Sequence, residues 1–376
     1  MEVKEVSSKP PLLWVNIIFF ISTTIAALIL APLWLAYNSV DASIWIGFVI
    51  LVFYSGMSIT GGYHRLWSHK AYNAHWSVRL VYALGGALAL QNSILHWSSD
   101  HRQHHKHVDR EPDPYSAANG LFFSHIGWML REYQASNYHD YSNAKDLQKD
   151  SIVAWQHKHY LALVILMNVA LPLAIGALLG DAIAGLLVLG ALRLVLVQHS
   201  TFAINSFAHK FGKQKYSDLH SAKDNGFLAL LTFGEGYHNF HHTFQFDYRN
   251  GIAWWHYDPT KWLIKGLSLC GLASNLKKIS EEKILAAKAK MQLQAADKFL
   301  TKHNAIELLD KLTHEYEAMS DSLNQIYLEK KRLLSVSKHK WDKQAKRQYQ
   351  ELMFAYKQQL SKWQLLLAST KAQALA

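Results

Sequence analysis

The sequence predicts an all-α integral membrane protein. Four transmembrane helices would form two hairpins beneath a cytoplasmic, histidine-rich helical cap, followed by a C-terminal α-helical hairpin or coiled-coil extension. Three observations predict this. The 376 residues are half apolar, and the apolar residues gather in long runs nearly free of charge. Histidines crowd into short boxes just outside those runs. From about Leu276, proline and glycine vanish, and Lys, Glu, Gln and Ala take over.

The spans come first. Pro11 to Tyr37 and Ala42 to Tyr63 carry no charge. Leu161 to Gly180 is equally clean, and Ala182 to Val197 holds only Arg193. A bilayer crossing needs about 20 apolar residues, so spans are expected over about 12–37, 43–63, 160–180 and 182–203. The first run is too long for the apolar core of a signal peptide, and no small-residue cleavage site follows it. The fourth run is shorter and charged, but the Gly180-Asp181 turn makes it the return leg of a hairpin.

Orientation follows from the basic residues. The links Asn38 to Asp41 and Gly180-Asp181 have no Lys or Arg. Lys4 and Lys9 precede the first span, and ten Lys or Arg lie between His64 and Lys158. The positive-inside rule then places both termini and this middle segment in the cytoplasm. Within that segment, Leu80 to Leu95 is apolar but short, and reads as one helix at the membrane surface.

The tail shows a heptad seam at Leu309, Leu312, Tyr316, Met319, Leu323, Ile326 and Leu333, with Lys330 in one slot. A second seam runs through Tyr349, Leu352, Tyr356, Gln359, Trp363 and Leu366. The stretch "SVSKHK" (335–340) separates them, so two helices are expected, folded on each other or pairing with a second copy. The expected boundary gives a membrane domain over 1–275 and a basic extension over 276–376. From Leu276 the tail has 19 Lys and Arg against 11 Asp and Glu, a net of +8 of the chain's +11. A basic helical surface suits an anionic leaflet or is an ordinary solvated face. No nucleic-acid partner is expected.

The histidines carry the chemistry. "HRLWSH" supplies His64 and His69, "HRQHH" supplies His101, His104 and His105, and "HNFHH" supplies His238, His241 and His242. Residues i, i+3 and i+4 share a helix face, so each H-x2-H-H can converge on one point. His64 and His69 are five apart. They converge only if the helix end distorts, or else serve two different metals. Eight imidazoles exceed one ion's needs, so two metals are expected. The single cysteine, Cys270, excludes a thiolate site and a disulfide framework. Zinc has no redox chemistry. A histidine-only site beside lipid therefore points to two irons (Fe2+/Fe3+) with O2 as co-substrate, any zinc being an artefact of expression. Asp100 and Glu235 adjoin the boxes. Each either orients a ligand through its second ring N–H, touches substrate, or is a plain surface charge. The histidines outside the boxes read as packing or surface residues.

The boxes "HRLWSH", "DHRQHH" and "GEGYHNFHHTF" resemble those of the membrane-bound acyl-CoA (stearoyl-CoA type, Δ9) fatty acid desaturases. So does the order of span pair, two boxes, span pair, third box. The resemblance covers about Trp14 to Trp262. "NSFAH" (205–209) resembles the family's N-S-x-x-H element, which implies His209 as a ninth ligand and Asn205 as a ligand through water. "FFSHIGW" (122–128) is a further match. The resemblance implies O2-dependent insertion of a cis double bond into a saturated acyl chain, most simply acyl-CoA, held in a kinked tunnel. It places Asn92 and Asp100 at the head group, where a CoA thioester needs a polar, basic entry. Phe48 and Val52, one turn apart on the second span, are expected to close the tunnel. The chain departs from the animal enzymes at Ser99, where they have arginine, and at Phe202, where they have tryptophan. An acyl-lipid carrier or a di-iron hydroxylase is the neighbouring alternative, and a metal-binding membrane scaffold the non-enzymatic one. The tail lacks an H-P-G-G haem element and a cysteine cluster. A separate electron donor is therefore expected, either cytochrome b5-like or a ferredoxin or rubredoxin with its reductase.

Overall fold

A computed structural model of the chain describes residues 9–134, 138–335 and 343–374. Lys4, residues 336–340 of the tail break and the side chains at 330, 333 and 349 lie outside the described residues. The chain divides into two compact units, Met1–Lys213 with His220–Lys278, and Gln214–Leu219 with Ile279–Ala376.

In the first unit, α1 (Trp14–Tyr37) and α2 (Ala42–Ser68) are joined by a tight link. Asp41 opens α2 by accepting from the Ser43 N–H at 2.7 Å, satisfying one of the donors a helix start leaves unpaired. Next come α3 (Trp76–Ala89) and α4 (Ile94–His107), then the spans α5 (Tyr160–Leu178) and α6 (Ala182–Lys210). Asp181 caps α6 through the Ala184 N–H and also accepts from Trp34 Nε1 at 2.8 Å, tying the two hairpins together. Gly176 and Gly185 let α5 and α6 meet backbone to backbone, for a Cβ on Gly176 would fall 2.6 Å from Gly185 Cα. These four helices, α1, α2, α5 and α6, are long and apolar enough to cross a membrane.

One expectation needs correction, and one is extended. The helices that hold the second and fourth expected spans run past 63 and 203, to Ser68 and Lys210. Hydropathy marks where lipid contact ends, whereas the helices continue as long as cap residues bury them. The apolar stretch Leu80 to Leu95 is not one surface helix. It breaks at residues 90–93, where Leu90 and Asn92 take positive φ, and α4 leaves at 81° to α3.

The break costs carbonyl partners, and α5 and α6 supply them. Arg193, fully buried, donates to Leu88 O at 2.6 Å and to Asn168 Oδ1 at 2.8 Å, and Gln198 donates to Leu90 O at 3.1 Å. Asn168 donates to Ala87 O at 3.0 Å. An arginine in an apolar span is expensive unless its donors are used. Here one caps Leu88 O at the end of α3, one holds Asn168, and the third bonds Leu189 O in its own helix.

α3 lies against the last turns of α2 with almost no gap. A Cβ on Gly86 would come 2.1 Å from the Tyr63 ring. Gly86→Val is expected to lower stability by about 1–3 kcal/mol through overpacking, read as a drop in the temperature at which purified protein loses its monodisperse peak. The cap is completed by α7 (His238–Thr243) and α8 (Pro259–Leu269). A short antiparallel pair joins Asn73–Ala74 to Ala273–Ser274. Beneath the histidines, Tyr63, Trp67, Tyr72, Ile94, Leu95 and Ile264 form a buried core.

Among the described residues the second unit holds three helices, α9 (Glu281–Lys302), α10 (Ile306–Ser335) and α11 (Lys343–Gln373), where the seams predicted two. The additional one, α9, faces inward with Leu285, Ala289, Leu293, Ala296 and Leu300. Its 3–4 repeat is weak in sequence because alanine fills two of the five places. Leu312, Met319, Leu323, Ile326, Tyr356 and Trp363 fill the rest of this core. Trp363 donates to Gln292 Oε1 of α9 at 3.0 Å and sets its ring 6.0 Å from that of Tyr316 on α10, so all three helices meet within one chain.

Candidate metal centre

α2 and α6 run the same way through the bundle, so both deliver their last turns to one end. There the last eleven residues of α2, Ser58–Ser68, wind with i→i+5 hydrogen bonds. The His69 N–H bonds the His64 carbonyl at 3.1 Å. A π turn is wider than an α turn and is a recurrent feature of functional sites. It brings together the two histidines that a regular helix would separate.

The histidines form two groups, in each of which one nitrogen per ring lies within 4.8 Å of all the others. His64, His69, His101, His105 and His241 make the first, and His104, His209, His238 and His242 the second. α4 and α7 contribute reciprocally. The i, i+4 pair His101/His105 goes to the first group and His104 between them to the second. The i, i+4 pair His238/His242 goes to the second and His241 to the first.

The Nε2 atoms face one another. His64 and His241 are 2.9 Å apart, His69 and His101 2.8 Å, and His105 and His241 3.0 Å. In the second group His209 and His238 are 3.1 Å apart, and His238 and His242 3.0 Å. Metal–imidazole bonds of about 2.0–2.1 Å place adjacent ligand nitrogens about 3 Å apart. The outer nitrogens fix the tautomer. His64 Nδ1 lies 2.9 Å from Glu235 Oε2, and His104 Nδ1 lies 2.8 Å from Asp113 Oδ1. A carboxylate only accepts, so these Nδ1 atoms carry the protons and the Nε2 lone pairs point inward. Lone pairs converging at such distances repel unless a cation lies among them. The residues fit a pair of metal ions.

Electrostatics supports the same protonation. Burial first, and neighbouring imidazoles second, push His69, His101, His105, His238, His241 and His242 well below the usual histidine range. They stay neutral, the form that binds metal. Glu235 is buried, which alone raises its pKa, but His64 and Arg65 outweigh this and hold it at about 2. Arg65 donates to Glu235 Oε1 at 2.8 Å and approaches Asp258 Oδ1 at 3.0 Å.

The other sequence candidates are placed as follows. Asn205 is half-buried on α6, one turn before His209. Asp100 pairs with His96 at 3.4 Å, and burial lifts its pKa to about 7. Asn92 occupies the α3–α4 break, where its Oδ1 accepts from the Ser93 N–H at 2.9 Å. Phe202 is buried on α6, its ring 6.0 Å from Phe20 and 5.8 Å from His125. Phe48 and Val52 are half-buried on α2, the first against the intramembrane core and the second against the core under the cap. Among the described residues, no hydrogen bond or ring contact joins any two of Asn92, Asp100, Phe202, Phe48 and Val52.

Sequence reasoning missed Asp113 and Tyr115, whose hydroxyl lies 3.2 Å from His101 Nδ1. It also missed Ser221, whose Oγ lies 2.7 Å from His209 Nδ1. None stands at a spacing that links it to a histidine. The "PDPY" segment (112–115) signals only a stiff turn.

Known proteins agree with this architecture. The family model for fatty acid desaturase matches residues 42–269. Acyl-CoA desaturase 1 of Saccharomyces cerevisiae is 43% identical over 261 residues, covering 68% of this chain and 51% of that protein. The chain therefore spans about half the length of this yeast relative. Stearoyl-CoA desaturase 4 of Mus musculus is 34% identical over 280 residues, 73% of this chain and 78% of that one. An sn-1 stearoyl-lipid 9-desaturase of Synechocystis is 38% identical over 288 residues, 75% of this chain and 86% of that one. With four spans, paired histidine groups and matches of this extent, the chain belongs to the fatty acid desaturase family.

Proposed function

We propose that the protein is an O2-dependent fatty acyl desaturase that introduces a cis double bond at a di-iron centre. The nine histidines of the two groups are the ligands, and Asn205 holds a metal-bound water. The observation that carries this reading is the pair of all-histidine groups with inward lone pairs, at the mouth of four spans. The acidic and basic side chains present here cannot remove hydrogen from an unactivated methylene, because such a C–H bond is neither acidic nor polarised. When bound, the irons supply the oxidising power of O2, and the protein supplies position and a dry site. Two substrate hydrogens, two donor electrons and two protons together reduce O2 to two waters.

The remaining roles belong to the chain. Glu235 and Asp113 keep the Nδ1 protons of His64 and His104 in place, so the ligands stay preorganised. Asn92 and Asp100 contact the acyl head group, with Phe202 beside the acyl chain. The substrate is a saturated acyl-CoA, as the names of the yeast and mouse relatives suggest, and it is desaturated at Δ9, the position in the Synechocystis relative's name. The Synechocystis relative's name makes an acyl-lipid the alternative carrier. The active site and both termini face the cytoplasm, following the basic residues of the cap. Electrons come from a separate donor, cytochrome b5-like or a ferredoxin or rubredoxin with reductase, and the C-terminal helices are a candidate surface for donor docking or self-association.

The test is expression with a suitable donor, followed by analysis of acyl-CoA and lipid pools. A new Δ9 double bond appearing first in acyl-CoA is the expected result. First appearance in intact lipid moves the reaction to the alternative carrier, and a hydroxylated product overturns desaturation. Val52→Ala is expected to shift preference toward chains about one or two methylenes longer, because each buried CH2 contributes about 0.8 kcal/mol. An unchanged chain-length profile removes Val52 from the tunnel end.

A further inference from the structure

The loop after α4 reaches both histidine groups, but Asp109 within it bonds only toward one of them. Asp109, two residues beyond the end of α4, has φ of +62°, a conformation that aspartate tolerates better than most residues. Its carboxylate receives two hydrogen bonds from one residue, Ser221. The Ser221 N–H donates to Oδ2 at 2.7 Å, and the Ser221 hydroxyl donates to Oδ1 at 2.6 Å. The same Ser221 oxygen lies 2.7 Å from His209 Nδ1. With the hydroxyl proton committed to Asp109, the Ser221 oxygen has only lone pairs left for His209, so His209 Nδ1 donates and its Nε2 lone pair turns inward.

A second strand of contacts begins at the same residue. The Asp109 N–H donates to Asp113 Oδ2 at 3.1 Å, while Asp113 Oδ1 takes the His104 Nδ1 proton at 2.8 Å. His220, next to Ser221, sets its ring 5.2 Å from that of His242. Asp109 thus joins two segments, 109–113 and 220–221, that reach His104 and His209 by hydrogen bonds and adjoin His242. All three belong to the four-histidine group. The five-histidine group is braced by other side chains, His64 by Glu235 and His101 by Tyr115, the latter of which meets the second strand of contacts where its N–H donates to Asp113 Oδ1 at 3.2 Å.

We infer that Asp109 and Ser221 are positioning residues that hold one metal of the pair, the one at the four-histidine group, more than the other. This rests on the two-iron reading. Each group then has its own outer brace, and the two metals differ in how firmly they are held.

The experiment uses full-length protein in detergent, loaded with 57Fe. Iron per chain is measured during chelator competition, together with the Mössbauer spectrum. Asp109→Asn and Ser221→Ala are expected to weaken one iron about 10- to 100-fold, leaving about one iron per chain at a chelator level where wild type keeps two. Ser221→Thr keeps the hydroxyl and is expected to retain both. If both disruptive variants hold two irons as tightly as wild type, or lose both irons in parallel, the inference is overturned. Wild-type protein that binds no iron pair overturns the underlying reading, and this inference with it.

Discussion

His241→Ala is expected to reduce desaturation by about three orders of magnitude or more, equivalent to roughly 4 kcal/mol of lost transition-state stabilisation. His241 faces two partners at once, with Nε2 2.9 Å from His64 and 3.0 Å from His105. It is also the one imidazole that α7 contributes to the five-histidine group. Removing it opens the coordination shell and leaves inward lone pairs without their shared cation. Loss of product is measured by acyl-chain analysis, and loss of about one iron per chain by metal assay. His303→Ala, in the exposed turn after α9, is expected to change neither. Full activity in His241→Ala would remove the five-histidine group from the mechanism.

Arg65→Met is expected to destabilise the cap by about 3–5 kcal/mol, the cost of leaving buried charges without their partner. Arg65 is 1% exposed and lies between Glu235 and Asp258, themselves 2% and 0% exposed. It also donates to Tyr248 O at 2.8 Å. Asp258 meanwhile holds the N–H groups of Asn250 and Gly251 and caps α8 through Lys261 N. Without the guanidinium, two carboxylates face each other in a dry site, and the Glu235 carboxyl is no longer held at its low pKa. His64 then loses a fixed tautomer, so iron retention falls along with thermal stability. Arg65→Lys keeps the charge but not the planar fork, and is expected to recover only part of the loss. Heating assays followed by size-exclusion chromatography rank the three proteins. Equal stability of Arg65→Met and wild type would contradict the argument.

Much of this site was legible because metal chemistry constrains residue type. Eight box histidines were visible as boxes, since their spacing on α4 and α7 leaves few other uses. The outer residues were much less legible. Glu235 stood beside a box and was noticed. Asp113 and Ser221 reach their histidines through turns whose course depends on the α4 loop and on the return from α6. Asp100 is adjacent in sequence to His101 yet pairs with His96 one turn back, a contact that its place beside a box does not reveal. Among the tail helices, α9 escaped notice because alanine fills its seam, and alanine signals a buried face weakly.

By itself the sequence determined the class of molecule. Uncharged runs of bilayer length force helices, since a lipid interior leaves backbone groups no partners outside the helix itself. The repeated imidazoles, with a single cysteine, mark a candidate metal site with no thiolate. The tertiary structure alone decided which histidine joins which group. On a single helix His101, His104 and His105 share one face, and spacing cannot divide them. The division appears only when α7 packs against α4 and each helix gives its i, i+4 pair to one side and its remaining histidine to the other. The five-residue gap between His64 and His69 was settled the same way. Whether a helix end stays α or widens to π depends on what buries it, and here Tyr82, packed at the Gly61–Gly62 face, and the Arg65 network hold the wider turn in place.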